Sequence, residues 1–343
     1  MKCPACGTEG PRGRVVCSAC RGLLYREEIE GLVAEASEAR RASEVRRESE
    51  LLRRAAALLP PESRQHETIS RRVESLSAEL DGVAPRASDG SAEGSKRRWG
   101  GVGAIGSVAL LAWKGKALLV FLLTKGKLLL AGLTKSGTLF SMVLAFGVYW
   151  AIFGWPFGLG LVVSIYVHEM GHVAALRHYG IAASAPMFIP GLGAFVRLKQ
   201  YPANPREDAR VGLAGPIWGL GAALAAFLIF RWTAEPIWAA IARFGAWINL
   251  FNLLPVWQLD GGRGFKALTQ GMRLAVAAVM GLMLYVTGEG LLWLLLIAGG
   301  IGAFSKAAPD EGDTVAFGQF LFLVIALSLL SVLPIPVEAF QAD

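Results

Sequence analysis

Seven long apolar runs occupy most of the chain after residue 136, and they restrict its fold more than any other feature. Their lengths approach the roughly 20 residues that cross a bilayer as a helix. With 54% hydrophobic residues, the 343-residue chain is too apolar for an ordinary soluble protein. The pattern predicts a mostly α, polytopic membrane protein with spans at about 137–155, 157–177, 209–231, 236–255, 273–288, 290–305 and 315–335.

Basic residues and tryptophans sort to opposite ends of these predicted spans. Nine basic residues share one side, namely Arg177, Arg197, Lys199, Arg206, Arg210, Arg263, Lys266, Arg273 and Lys306. Five tryptophans lie near the other side, namely Trp150, Trp155, Trp232, Trp238 and Trp293. Lys and Arg favour the cytoplasmic side. We therefore expect an integral, multi-pass protein of a bacterial plasma membrane with a cytoplasmic N-terminus. Topology also accounts for the net charge of +7, so no nucleic acid partner is predicted.

The second run contains the motif His168-Glu169-Met170-Gly171-His172. A charged side chain at bilayer depth costs roughly 2.5–3.5 kcal/mol, so a purely structural role for Glu169 is disfavoured. Residues i and i+4 share one face of a helix, so His168 and His172 can bind one zinc ion. Glu169 then lies beside the metal, where it can act as a general base.

A catalytic zinc usually has a third protein ligand and an open position for water. Asp260 is the only acidic residue between Glu235 and Glu289. Pro255 ends or kinks the preceding span, which places Asp260 at the same predicted depth as the histidines. Taken alone, Asp260 could be a loop acid that caps the next helix. Beside the buried histidine motif, it is the predicted third ligand.

The His168–His172 motif, together with Asn252 and the segment Leu259-Asp260-Gly261, resembles the site-2 protease family of intramembrane zinc metalloproteases. The resemblance covers roughly residues 137–272 and includes an Ala-Gly-Pro element at residues 214–216. Trp257 stands where the family commonly has the second proline of an Asn-x-x-Pro-x-Pro stretch.

This resemblance implies an enzyme, a zinc metalloendopeptidase that hydrolyses peptide bonds in or near the transmembrane segments of membrane proteins. It implies a catalytic zinc at His168, His172 and Asp260, with Glu169 as the general base. The sorting of basic residues indicates that this active site opens to the cytoplasm. It also implies that Asn252 binds the substrate or the oxyanion.

The segment from Pro186 to Leu198 has strand-like residues on both sides of a Pro/Gly turn. A helical substrate must unwind before hydrolysis, because its carbonyls are held in internal hydrogen bonds. We therefore hypothesise a short membrane-associated β-hairpin whose edge, formed by Gly193, Ala194, Phe195 and Val196, pairs with extended substrate. The alternative is a plain connecting loop.

All four cysteines lie in the first 20 residues, as two Cys-x-x-Cys pairs: Cys3, Cys6, Cys17 and Cys20. Such pairs can hold one structural zinc in a tetrahedral site, and metal binding would fold this small segment. A redox pair or simple thiols is the alternative. We thus expect two zinc ions, one catalytic and one structural.

Helical composition follows from about Tyr25 to Leu59, although the apolar heptad fails near residues 40–43. Pro60-Pro61 ends that helix, and a second amphipathic helix follows, as in a helical hairpin or coiled coil. A solvated helix without a partner is the alternative. Residues 99–135 have short apolar stretches interrupted by lysines, which favours interfacial helices over a re-entrant hairpin or one span.

These patterns divide the chain into six regions. In order, they are a zinc-ribbon-like segment with the four cysteines (1–22), the helical hairpin or coiled coil (23–80), a flexible linker (81–98), interfacial or re-entrant helices (99–135), an intramembrane metalloprotease core (136–305), and a loop with a C-terminal transmembrane helix (306–343). The cytoplasmic zinc knuckle and helices are expected to recruit a protein partner. Two other functions stay open, a membrane metal transporter and a catalytically silent scaffold.

Overall fold

The protein's architecture is taken from a computed structural model, which describes residues 6–8, 15–20, 22–82, 138–191, 193–196, 202–305 and 308–335. Within these ranges helices dominate, and two short strands form a hairpin. The predictions for Cys3, for the linker beyond residue 82 and for residues 99–135 lie outside the described residues. The described part confirms the predicted mostly α class.

Before the apolar runs, the described chain forms three amphipathic helices: α1 (Arg26–Arg41), α2 (Val45–Ala57) and α3 (Arg64–Leu80). One continuous helix from Tyr25 to Leu59 was predicted, and this is wrong. The chain turns at Ser43, whose φ of +57° cannot continue a right-handed helix. The turn lies where the apolar heptad fails. Leu32, Leu52 and Leu76 join a shared core, and residues 26–80 are called the three-helix segment below.

The apolar runs form helices that agree with the predicted spans to within four residues at each end. They are α4 (Thr138–Phe153), α5 (Trp155–His178), α6 (Pro205–Thr233), α7 (Pro236–Asn252), α9 (Gln270–Thr287), α10 (Leu291–Ala303) and α11 (Thr314–Ser331), with a short α8 (Asp260–Lys266) between α7 and α9. Four of them, α5, α6, α9 and α11, are long and apolar enough to cross a membrane, and α4 and α10 are shorter apolar helices. The chain is therefore an integral membrane protein.

Helices α5, α6 and α7 pack against one another and form the part of the bundle that carries the histidine motif. Close approach of α5 to α6 depends on Gly171, where an added Cβ would lie 2.4 Å from the carbonyl oxygen of Ala214. Helices α9, α10 and α11 pack beside them around buried Met280, Leu292 and Phe320. Small residues at such contacts allow membrane helices to approach closely.

A charged residue within α7, Arg243, contacts the end of the last helix. Its guanidinium donates hydrogen bonds to the carbonyl oxygens of Ser331, at 2.9 Å, and Leu333, at 3.4 Å. The last carbonyls of a helix lack partners within that helix. Arg243, on a neighbouring helix, thus provides hydrogen-bond donors for carbonyl groups at the C-terminal end of α11.

Candidate metal centre

The two histidines of the motif lie on one face of α5, as the i, i+4 spacing predicts. Their Nε2 atoms are 3.1 Å apart. His168, Glu169 and His172 are buried, with between 5% and 7% of each residue exposed. The motif therefore faces the interior of the bundle and not the surrounding lipid.

Asp260 meets both histidines from the first turn of α8. One carboxylate oxygen, Oδ2, lies 3.1 Å from Nε2 of His168, and the other, Oδ1, lies 3.3 Å from Nε2 of His172. Helix α8 follows α7 after a short irregular stretch. The structure thus brings together the three residues that the sequence predicted as zinc ligands.

The spacing of these atoms suits a zinc ion. Tetrahedral zinc with bonds of about 2.0–2.1 Å to nitrogen and oxygen places neighbouring ligand atoms about 3.3 Å apart. The three observed separations, from 3.1 to 3.3 Å, agree with this value. A carboxylate and two imidazoles are also the donor types that zinc prefers in catalytic sites.

Each histidine is held in one orientation by its other ring nitrogen. Nδ1 of His168 donates to Oδ1 of Asn249 at 2.7 Å, and Nδ1 of His172 donates to the carbonyl oxygen of Val211 at 2.8 Å. A proton on Nδ1 leaves the lone pair on Nε2, which is the nitrogen that faces Asp260. Both rings are therefore set in the tautomer that a metal requires.

Two glycines of α6 leave the space that these side chains occupy. A Cβ on Gly215 would lie 2.3 Å from Nε2 of His172 and 2.8 Å from Nε2 of His168. A Cβ on Gly219 would lie 2.0 Å from Oδ1 of Asn249. The Ala-Gly-Pro element thus acts through close packing against the histidine rings.

Asn252 is the last residue of α7, and its side chain reaches the same centre. Its amide Nδ2 lies 3.5 Å from Nε2 of His168. The structure therefore brings the predicted substrate-binding asparagine beside the three predicted ligands.

Helix α8 is tied to the start of α6 by ion pairs. Nε of Arg263 and Nζ of Lys266 donate to the two carboxylate oxygens of Asp208, at 2.8 and 2.9 Å. Asp260 begins the helix that both bases lie on. The position of Asp260 is thus fixed from α6, the helix that also contacts both histidines.

The start of α6 is also tied to α11. Arg210 donates two hydrogen bonds to the Asp313 carboxylate, at 2.7 and 2.9 Å. Burial raises the pKa of Asp313, but Arg210 and two backbone N–H groups of α11 lower it by more. The pKa therefore lies below its ordinary value.

The predicted hairpin forms as strands β1 (Met187–Ile189) and β2 (Gly193–Phe195), with Phe188 opposite Ala194. The N–H of Phe188 points away from β2, because it donates to Oγ of Ser141 on α4 at 3.2 Å. Opposed residues of an antiparallel pair point their backbone groups in opposite directions. Ala194 therefore directs its N–H and C=O to the outer edge of β2, and Val196 follows that edge against α5.

Three of the four N-terminal cysteines fall within the described residues and lie together. Sγ atoms of Cys6, Cys17 and Cys20 are all within 4.8 Å of one another, and those of Cys6 and Cys17 are 3.7 Å apart. Four thiolates around a zinc with bonds of about 2.3 Å would be about 3.8 Å apart. Gly7 has a φ of +73°, which fits the tight turn after the first pair.

Asn249 is the functional residue that the sequence reasoning missed. It lies three residues before Asn252 and so on the same face of α7. An amide within an apolar helix was a signal for it, since such groups need a partner when buried. The carbonyl of Val211 could not have been found in this way, because every residue has one.

Comparisons with known proteins agree with this geometry. Residues 156–235, which include the histidine motif and most of α6, match Peptidase family M50. A relative named "Probable zinc metalloprotease EGY2, chloroplastic", from Arabidopsis thaliana, is 27% identical over 53% of this chain and 42% of its own length.

Two further relatives match shorter parts of the chain. "Zinc metalloprotease MJ0392" of Methanocaldococcus jannaschii is 25% identical, over 35% of this chain and 35% of its own length. "Stage IV sporulation protein FB" of Bacillus subtilis is 26% identical, over 31% of this chain and 37% of its own length. The chain thus spans less than half the length of these three relatives.

Proposed function

We propose that the chain is an intramembrane zinc metallopeptidase, because residues 156–235 match Peptidase family M50, in agreement with the predicted resemblance to site-2 proteases. It hydrolyses peptide bonds in or next to the transmembrane segments of other membrane proteins. One observation carries the proposal: Asp260 lies within 3.3 Å of both His168 and His172, which flank buried Glu169 in a helix apolar enough to cross a membrane.

In this proposal His168, His172 and Asp260 hold the catalytic zinc, and Asn249 and Val211 keep the two imidazoles aimed at it. The chemistry that zinc supplies when bound is a water of lowered pKa and a polarised substrate carbonyl. The buried surroundings exclude bulk water, which strengthens every electrostatic interaction at the site.

Glu169 is the proposed general base. Its carboxylate takes the proton from the attacking water and returns it to the nitrogen of the leaving amine. Asn252 is proposed to donate its amide N–H to the substrate oxygen on which negative charge develops. Its position, 3.5 Å from His168, supports this role.

The outer edge of β2 is the proposed substrate cradle, formed by Gly193, Ala194, Phe195 and Val196. Ala194 presents one donor and one acceptor there, enough to pair with one residue of an extended chain. An unwound substrate segment would gain these bonds in exchange for the helical bonds it lost.

We further propose that the centre opens to the cytoplasm of a bacterial cell, and that Cys3, Cys6, Cys17 and Cys20 hold a second, structural zinc. The charge pattern of the loops supports the orientation. Sulfur separations near those of a zinc–thiolate site support the metal. The cysteine segment would recruit a protein partner.

The test compares wild-type protein with Glu169→Gln, purified in detergent, using β-casein and a designed single-span reporter as probes. The reporter carries an Asn-Pro pair at the centre of a polyleucine span. Loss of a general base is expected to reduce cleavage by about 10²–10⁴-fold. Zinc content should remain at the wild-type level, since Glu169 is not a ligand.

Glu235→Gln is the matched control, because Glu235 is exposed at the start of α7 and far along the chain from the motif. It should cleave both probes like the wild type. Cleavage that survives Glu169→Gln would overturn the peptidase proposal. Zinc uptake into proteoliposomes that survives the same substitution would instead support a transporter.

A further inference from the structure

The three-helix segment contacts the membrane bundle at the two points where the metal-binding helices end and begin. One contact is the chain just after α5, and the other is the first turn of α6. Both helices provide the catalytic centre, α5 through its histidines and α6 through Val211 and Gly215. The segment therefore lies where it can influence the position of both.

At the first turn of α6, Glu207 has two functions. Its N–H donates to Oδ1 of the N-cap residue Asn204 at 2.9 Å, and its own Oε2 accepts the N–H of Ala203, one residue before the N-cap, at 2.7 Å. The other oxygen, Oε1, accepts from Arg53 of α2 and from Ser77 of α3. The same carboxylate thus caps α6 and binds the three-helix segment.

Glu207 is one helical turn from Val211, the residue of α6 that orients His172. Val211 lies at i+4 from it, on the same face of α6, and its carbonyl oxygen accepts from Nδ1 of His172. A shift or rotation of the first turn of α6 would move that carbonyl and with it the imidazole of His172. Asp208, the next residue, holds α8 and therefore Asp260.

At the end of α5, the second contact uses Tyr179 and Gly180. Oγ of Ser49 on α2 donates to the carbonyl oxygen of Tyr179 at 3.0 Å, and the hydroxyl of Tyr179 donates to Asp81 at 2.6 Å. Gly180 has a φ of +68°, and a Cβ there would lie 2.9 Å from the carbonyl oxygen of Arg46. The two backbones are thus in direct contact.

Arg53 joins the two contacts. Its Nε donates to Ser49 at 3.2 Å, and its Nη2 donates to Glu207 and, at 3.4 Å, to Ser77. The ion pair is fully enclosed, with 5% of the Arg53 side chain and none of the Glu207 side chain exposed. A buried ion pair is costly to break from one side, because the remaining charge has no partner.

We infer that Arg53 is a positioning residue for the metal centre, acting through Glu207 and α6, and that the three-helix segment is thereby a working part of the peptidase. The inference rests on the proposed function for what the centre does. Removal of the guanidinium leaves the Glu207 carboxylate buried without its cation. The first turn of α6 would then move toward water and draw Val211 away from His172.

The test measures zinc affinity of the full-length protein by competition with a chelator, with no substrate present. Variants are Arg53→Met and the matched control Arg54→Met, which removes an exposed arginine from the same helix. Zinc that remains on His168→Ala protein is assigned to the cysteine segment and subtracted. Arg53→Met should bind zinc about tenfold more weakly, the lower end of losses from outer-shell substitutions, and Arg54→Met should match wild type.

The double variant Arg53→Met/Glu207→Gln tests the route. It removes both charges, while the amide oxygen of the glutamine can still accept the N–H of Ala203. Affinity should return to within about threefold of the wild type, because no uncompensated charge remains. Ser49→Ala, at the other contact, should weaken zinc binding by at least about threefold, because it removes the hydrogen bond to Tyr179 and the one from Arg53. If Arg53→Met protein does not accumulate in cells, Ser49→Ala is measured in its place.

Either of two results would overturn the inference. One is an Arg53→Met or Ser49→Ala protein that binds zinc as Arg54→Met does, and the other is a double variant as weak as Arg53→Met alone. Neither result bears on the peptidase proposal, because no cleavage is measured. Conversely, a wild-type protein that binds zinc but cleaves neither probe would contradict the peptidase proposal and leave this comparison intact.

Discussion

At the scale of single residues, the metal centre depends as much on glycines, which have no side chain, as on the ligands. His168 and His172 can meet Asp260 only because α6 presents a hydrogen atom, and not a side chain, at Gly215. The same is true of Gly219 opposite Asn249. Substitutions at these glycines should therefore act on the metal without removing any ligand.

Gly215→Ala tests this point. The added Cβ would lie 2.3 Å from Nε2 of His172, so one ring must leave its place. We expect zinc affinity to fall by about a hundredfold, the upper end of losses from outer-shell changes, with a parallel loss of cleavage. Gly221→Ala is the control, because Gly221 lies on the same helix and a Cβ there would have no atom within 4 Å. Equal zinc affinity in the two variants would contradict the packing argument.

At the scale of secondary structure, most elements could be predicted because the solvent imposes them. In lipid every backbone group must be paired within its own segment, so a long apolar run can only be a helix. The helix bounds therefore followed from hydropathy alone. The three-helix segment was harder, because in water the turn at Ser43 depends on packing between helices as much as on local sequence.

The hairpin shows what an element adds to the proposed mechanism. Ala194→Pro removes the outward N–H of β2 and no hydrogen bond to β1, since the bonds to β1 come from the neighbouring pairs of residues. We expect cleavage of the single-span reporter to fall by about three- to tenfold through a higher KM, the effect of one backbone hydrogen bond. Ala194→Gly, which keeps the N–H, should stay near wild type. Unchanged cleavage by the proline variant would refute edge pairing.

At the scale of the whole molecule, the contacts between distant parts of the chain could not be predicted. Arg53 and Glu207 are separated by 154 residues, and each was one charge among many in the sequence. Two histidines four residues apart are predicted to be neighbours because a helix places them on one face. An ion pair between distant parts of the chain has no such local sequence pattern. The structure therefore brings the three predicted ligands together, whereas the contacts that hold them were not predicted.

Long-range pairs also set the response of the molecule to pH. The folded-state pKa of Asp313 lies below its ordinary value of 3.8, because of Arg210 and the backbone of α11. Its contribution to stability is therefore complete above that ordinary value and is lost as pH falls through the depressed pKa. Asp313→Asn keeps the helix cap and removes the charge, which should cost roughly 1–3 kcal/mol at neutral pH.

The measurement is the free energy of unfolding in detergent at a series of pH values. The difference between wild type and Asp313→Asn should be constant between about pH 5 and 8 and should shrink below the ordinary carboxyl pKa. Asp310→Asn, an exposed acid of the same loop, should differ little from wild type throughout. A difference that grows on acidification would have the wrong sign.

The two metal sites are expected to be independent, since the three-helix segment between them has its own apolar core. Cys17→Ser should lose one zinc and keep kcat within about twofold, because the catalytic centre should not change. A tenfold effect on kcat would need a change of about 1.4 kcal/mol in the activation free energy. His168→Ala should lose the other zinc together with all cleavage, and the double variant should bind none. The measurement is the molar ratio of zinc to protein, which should be two in the wild type. A wild-type ratio of one, or a Cys17→Ser protein that loses cleavage with its zinc, would show that the sites are not separate.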